Sequence, residues 1–256
     1  MTPFVLLHIP HSSPLIPDQY RDLYHLDAAG LALENLRLSD LYTDELYDLP
    51  GAERAVFPVS RFLVDAERFS DDAQESMAAR GMGVLYTATT QLTPLRPMPD
   101  TAGRAALLAR YYHPHHDAVN AWAGRALAEH GACLLIDCHS FPSRALPYEL
   151  ENQSLPRPEI CIGTDAFHTP PILRDAMRAH FEDLGYWVGV DEPFAGSLTP
   201  GQYYGRNAAV RSFMIEVRKD LYMNEETGDK LPRFAEIRDH LTAAMEKSAE
   251  IARQAA

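Results

Sequence analysis

The sequence predicts one α/β domain spanning residues 1–256, built on a mixed, mostly parallel sheet with helices on both faces. Three observations carry that expectation. Short apolar runs alternate with stretches of helical spacing, the order that produces βα units. The composition is that of an ordinary globular chain, with 46% hydrophobic and 23% charged residues. No Ser/Gly linker, repeat or low-complexity tract divides the chain, and 256 residues are ample for one large core.

The strand candidates are Phe4–Ile9, Ala55–Val59, Val84–Thr87, Ala132–Cys138, Glu159–Gly163, Tyr186–Val190 and Ser212–Val217, each a short apolar run ended by polar or glycine residues. Between them, Leu26–Leu49 reads as a helix broken into two pieces. Thr101–His130 reads as a long helix or helix pair rich in Ala, Leu and Arg. Pro171–Leu184 opens with proline at a favourable first-turn position. Pro232–Ala255 closes the chain with apolar residues three and four apart.

The formal charge of −13 argues against nucleic acid, whose phosphates call for clustered Lys and Arg. No apolar run approaches the ~20 residues that cross a bilayer, and the apolar start has no basic segment before it. Cys133, Cys138 and Cys161 are odd in number and lie in apolar runs, which suits buried thiols in a reducing cytoplasm. Eleven histidines are the unusual feature of the composition.

In open α/β sheets, ligands bind beyond the C-terminal ends of the strands, so those segments hold the candidates. The first strand runs into His8-Ile-Pro-His11-Ser-Ser, with His11 just beyond it. The fourth candidate ends in Asp137-Cys138-His139-Ser140. Asp137 can accept from one imidazole nitrogen and leave the other as metal ligand or base. Two imidazoles need a third, carboxylate ligand to make a catalytic zinc site. Asp40 and Asp44, four apart behind a candidate N-cap at Ser39, are the two choices, and both also suit a helix N-terminus.

Glu216 lies inside the apolar run Ser212–Val217. A buried carboxylate needs a reason, either general-base chemistry beside a metal or a pair with Arg218. Arg61 and Arg68, in a chain poor in positive charge, are candidate carboxylate clamps or partners of Asp65 and Glu67. Tyr203 and Tyr204, in the glycine-rich stretch 196–206, are candidates to close over a substrate. His115 and His116 point in different directions on a helix and read as structural.

Taken together, these segments resemble the N-formylglutamate amidohydrolase family, itself related in fold to the zinc carboxypeptidases. His11-Ser-Ser with Ile16-Pro17 behind it is similar to the family's Pro-His-Ser-Gly…Ile-Pro, and Ser39-Asp40-Leu-Tyr-Thr-Asp44-Glu-Leu-Tyr47 to its Asp-Thr-Asp-x-x-x-Asp-x-Leu-Tyr. Ser60-Arg61…Asp65-x-x-Arg68 resembles its Ser-Arg-Tyr-x-x-Asp-x-Asn-Arg. The Tyr112-x-Pro-x-His116, Asp137-x-His139-Ser140 and Glu216-Val-Arg218…Leu-Tyr-Met-Asn-Glu225 segments follow in the family's order.

The resemblance implies a phosphorylase/hydrolase-like, zinc-exopeptidase-like fold. It implies a metal-dependent hydrolase acting on an N-formyl or other N-acyl amino acid such as N-formylglutamate, with a place in amino-acid metabolism such as histidine degradation. Carried over, His11, Asp40 and His139 would hold one zinc ion, or another divalent transition metal, with Asp44 the alternative to Asp40. Glu216 would be the general base. Arg61 and Arg68 would hold substrate carboxylates, and Tyr203 or Tyr204 would close the pocket. The other readings of the same residues are a carboxypeptidase-like or cell-wall peptide hydrolase and a non-catalytic small-molecule-binding relative. Two positions depart from the family pattern. Glu67 replaces the Asn before Arg68, a negative charge set to pair with it, and Leu38 replaces the first acid of Asp-Thr-Asp.

Overall fold

The computed structural model describes residues 1–149 and 156–254. Six strands form one sheet in the order β2-β1-β3-β6-β4-β5. They are β1 (Val5–Ile9), β2 (Glu53–Val56), β3 (Cys133–Phe141), β4 (Ile160–Gly163), β5 (Val188–Val190) and β6 (Val210–Arg218). All neighbours are parallel except β4 against β6. The sheet is therefore mixed and mostly parallel, as the sequence predicts.

Alternation along the central strands builds two cores. Val5, Leu7 and Ile9 of β1, Leu134, Ile136 and Cys138 of β3, and Phe213, Ile215 and Val217 of β6 all point to one face. There they pack against α5 (Pro171–Asp183) and α6 (Phe234–Gln254). Leu6, Cys133, Leu135 and Val210 point the other way, against Val119, Trp122, Ala123 and Ala126 of α4 (His113–His130). This period-two rule sends His8, Asp137, His139 and Glu216 to the α4 side of the sheet. Register completes the placement: His8 lies beside Asp137 and His139 beside Glu216, at the C-terminal ends of three parallel strands.

Several elements differ from their sequence expectation for local reasons. Val84–Thr87, buried as far as Tyr86, forms no strand; its backbone serves the loops instead, Val84 accepting from Asp65 and Thr87 from Leu95. The second strand ends at Val56 rather than Val59, because Pro58 has no N–H to give a ladder. The helical stretch at 26–49 breaks into α1 (Ala28–Leu38) and a single turn α2 (Thr43–Leu46). Ser39 does not open a helix: it ends α1 with extended backbone, and Tyr42, at φ 70°, precedes α2. Asp40 therefore sits in the turn between them.

The 101–130 stretch is α3 (Thr101–Leu107), a wide π turn at Leu108–Tyr112, and α4. The wide turn precedes Pro114, which can donate no backbone bond and crowds the carbonyl four residues back. Gly131, at φ 76°, ends α4 in the left-handed conformation that glycine adopts most readily. The three cysteines are free and buried. No helix among the described residues is long and apolar enough to cross a membrane. Ala255, the expected last helical residue, lies outside the described residues.

Candidate metal centre and active-site cavity

At the C-terminal edge of β1 and β3, His11, Asp40 and His139 each bring one donor atom to a group in which all lie within 4.8 Å of one another. His139 Nδ1 is 3.1 Å from Asp40 Oδ2, and His11 Nδ1 is 3.7 Å from the same oxygen. All three residues are buried. Backbone bonds fix the approach of Asp40: its N–H donates to the His11 carbonyl, and the Ser140 N–H donates to its Oδ2. Lys219, fully buried, donates from Nζ to the Arg37 and Ser39 carbonyls and so pins the turn that carries Asp40. Burial pushes its pKa down to about 8.

The outer nitrogens of both imidazoles are held by carboxylates. His11 Nε2 donates to Asp65 Oδ1 at 2.8 Å and His139 Nε2 to Asp137 Oδ1 at 3.0 Å. That fixes each ring and turns its Nδ1 inward, the arrangement found around metal-bound histidines. His11 Nδ1 is buried without a hydrogen-bond partner. Burial opposes a charge on His139, but Asp137, Asp40 and Glu67 overcome it and hold its pKa well above the imidazole range. Asp40, Asp65, Asp137 and Glu67 thus surround the two imidazoles, and the site favours a cation. Two inward nitrogens, one of them orphaned, and a carboxylate fit a divalent transition metal.

Glu216 stands next to His139 across the β3–β6 ladder. Its Oε2 is buried and unpartnered, and burial pushes its pKa up to about 8. Arg218 is not its partner; that guanidinium bonds Asp220 and the Arg157 carbonyl. Glu216 lines a cavity of about 420 Å³ together with His11, Asp40, His139, Arg61 and Arg68, a size suited to a small molecule. A larger groove of about 910 Å³ runs along α1; it holds none of these side chains, and it is where the exposed Asp44 lies. Asp40, not Asp44, is the carboxylate beside the histidines.

The two arginines differ. Arg61 spends Nε and Nη2 on Asp65 and also reaches Tyr86, so it braces the carboxylate that orients His11. Arg68 stays 3.8 Å from both Asp65 and Glu75, and its Nε makes no hydrogen bond. Of the two, Arg68 has donors to offer a ligand.

Tyr203 and Tyr204 are not brought to this cavity. Tyr203 packs on the α4 side with its hydroxyl beside Gly124, and Tyr204, 58% exposed, stacks on His168. The wall they were expected to form is made by Pro193, Phe194 and Ala195, just upstream. The expected Glu67–Arg68 pair is also absent: Glu67 faces His8 Nδ1 at 3.2 Å and His139 Nε2 at 3.8 Å.

Sequence reasoning overlooked two participants. Asp65, read as an arginine partner, also orients His11. His8 donates from Nδ1 to Asp137 at 2.8 Å and shares a hydrogen bond with His115 through Nε2. Burial opposes its protonation, yet Asp137 and Glu67 push its pKa up to about 9. The signal for Asp65 was its place three before Arg68; for His8 it was a polar residue on the same strand face as Leu6. His8, Glu67 and Asp137 form a second group of potential donors within 4.8 Å. His116, by contrast, turns to the Ala66 carbonyl, with its ring at 87° to that of His115.

Comparison with known proteins agrees with this fold. The family model for N-formylglutamate amidohydrolase matches residues 3–223. The fold is similar to the crystal structure of N-formylglutamate amidohydrolase from Ralstonia eutropha JMP134, with a TM-score of 0.83 at 25% identity, over 100% of this chain and 96% of that one. A gene product of Agrobacterium tumefaciens has the same fold at a TM-score of 0.67 and 23% identity, over 97% and 91% of the two chains. No curated protein sequence shows a significant match. The match over nearly the whole chain, on a fold that gathers His11, Asp40, His139 and Glu216 around one cavity, establishes that the chain belongs to the N-formylglutamate amidohydrolase family.

Proposed function

We propose that this chain is a metal-dependent hydrolase that cleaves the amide of a small N-formyl or other N-acyl amino acid, the class to which N-formylglutamate belongs. One observation carries the reading: a buried two-histidine, one-aspartate donor group shares a cavity with an unpartnered glutamate. His11 and His139, through Nδ1, and Asp40 would hold one divalent ion, zinc being the metal that suits this donor set best. When bound, such an ion polarises the scissile carbonyl and lowers the pKa of water.

The protein's own groups do the rest. Asp65 and Asp137 keep the two imidazoles in the tautomer that leaves Nδ1 free. Glu216, in carboxylate form, takes a proton from the attacking water and delivers it to the departing nitrogen. The C–N bond breaks as a C–O bond forms, leaving a carboxylate and a free amine. Arg68 holds the carboxylate of the amino-acid portion with its unspent donors. The low-dielectric wall around Glu216 raises its basicity above that of a solvated carboxylate.

The test is hydrolysis of a panel of N-formyl and N-acetyl amino acids, with metal content measured alongside. Wild-type protein should turn over members of the panel and carry metal; Asp40→Ala and His139→Ala should lose both. Full metal content and turnover in His139→Ala would overturn the reading.

A further inference from the structure

The cavity wall carries one carboxylate that the proposed chemistry does not use. Glu67 is held in place by its backbone, whose N–H donates to Asp65 Oδ1 at 2.9 Å. Its side chain lines the cavity and is 19% exposed. One oxygen faces His8 and the other His139, but the N–H groups on that side of both rings already serve Asp137, at 2.8 and 3.0 Å. Glu67 Oε1 is buried and receives no hydrogen bond. Asp137 and Glu67 both face His8 and His139, and of these two carboxylates Glu67 is the one that opens to the ligand space.

The arginines of the cavity do not offset it. Arg61 is committed to Asp65, and Arg68 lies between Asp65 and Glu75. Glu149, a further lining acid, is bonded by Arg157. A carboxylate in a mostly buried wall that no arginine pairs is a place where an anion is repelled and a cation is stabilised. Arg68, the next residue, offers unspent donors on the same wall. The two neighbours present opposite charges to one ligand.

We propose that Glu67 makes this cavity select N-acyl amino acids bearing a cationic group, an ammonium or guanidinium, over acidic ones, with Arg68 taking the carboxylate. This inference rests on the hydrolase reading above and names its substrate class. At the short range available, opposite rather than like charge at Glu67 is worth about tenfold or more in binding.

The test compares Nα-formyl-lysine, Nα-formyl-norleucine and Nα-formyl-glutamate with the metal-loaded wild type and Glu67→Gln. Wild type should rank them lysine, norleucine, glutamate in kcat/KM, with about tenfold or more between first and last. Glu67→Gln should collapse that ratio, and the loss should be in KM rather than kcat. A wild-type preference for glutamate, or the same ratio in Glu67→Gln, would overturn the proposal. So would two ions per wild-type chain falling to one in Glu67→Gln, since Glu67 would then be a metal ligand. Calorimetry of wild type with free lysine, norleucine and glutamate reads the charge preference without turnover. If neither these formyl compounds nor their N-acetyl counterparts are hydrolysed, the hydrolase reading falls, while tighter binding of lysine still supports the charge assignment and equal or reversed binding overturns it.

Discussion

At the scale of single residues, the site is organised by which polar atoms are already satisfied and which are not. His11 Nε2 and His139 Nε2 are committed to Asp65 and Asp137, so each ring turns its other nitrogen, Nδ1, towards Asp40. Glu216 Oε2, Arg68 Nε and His11 Nδ1 remain unbonded in a chain that satisfies nearly every other buried polar side-chain atom described. Replacing Glu216 with Gln keeps the volume and removes the base; kcat should fall by about 10²–10⁴ with metal content unchanged, as single-turnover kinetics and metal analysis would read. Asp65→Asn loosens the orientation of His11 without replacing a ligand, and metal titration should show affinity weakened by about 10–100-fold. The histidines were legible as a pair from Asp137-x-His139 and the His11 loop. Asp65 was not, because its spacing to Arg61 and Arg68 looked like ion pairing, and it does both. Glu67 was read as the partner of Arg68 because adjacent residues suggest it, but successive side chains in this turn diverge, and only three dimensions show Glu67 turned towards His8 and His139.

At the scale of elements, the turn between α1 and α2 decides the position of Asp40, and Lys219 decides the turn. Burial leaves Lys219 with a folded-state pKa of about 8, against 10.5 when solvated. Below about 8 the lysine is charged in both states. Between about 8 and 10.5 the unfolded chain holds a proton that the folded one has released, so this group makes stability rise with pH. Chemical denaturation across that window should show the stability difference between wild type and Lys219→Met growing with pH, then levelling above it; a constant difference would contradict the assignment. Lys219→Met also leaves two carbonyls without their donor, at a cost of about 1–3 kcal/mol. The stretch 196–206 makes a different prediction. Because Tyr203 and Tyr204 lie away from the cavity, Tyr203→Phe and Tyr204→Ala should leave kcat and KM within about twofold, effects at the level of an ordinary surface substitution. Glycines and tyrosines resemble a lid in sequence, but here Tyr203 packs against α4 and Tyr204 stacks on His168. Strands β1, β3, β4 and β6 were readable as apolar runs, whereas Val84–Thr87 has the same composition and forms none, because burial alone does not specify a ladder partner.

At the scale of the whole molecule, a chain of net charge −13 places its acids where they enclose a cation rather than only on the surface. The order of strands and helices indicated a mostly parallel sheet, and the rule that such sheets bind at their C-terminal edges located the site. The reversal of β4 against β6 could not be read from local pattern, since buried strands look alike in either direction. Metal should stabilise this fold by mass action. At a free ion concentration 100-fold above its Kd the gain is about 2.7 kcal/mol, about 5–10 °C in Tm for a chain of this size, and a chelator should reverse it. The central claim, that His11, Asp40 and His139 hold one ion which the chain uses to hydrolyse an N-acyl amino acid, is tested most directly by titrating metal-depleted protein with zinc while following that hydrolysis. Activity should rise in proportion to added metal and reach its plateau at one equivalent per chain. No activity at any ratio, or a plateau only at two equivalents, would contradict it.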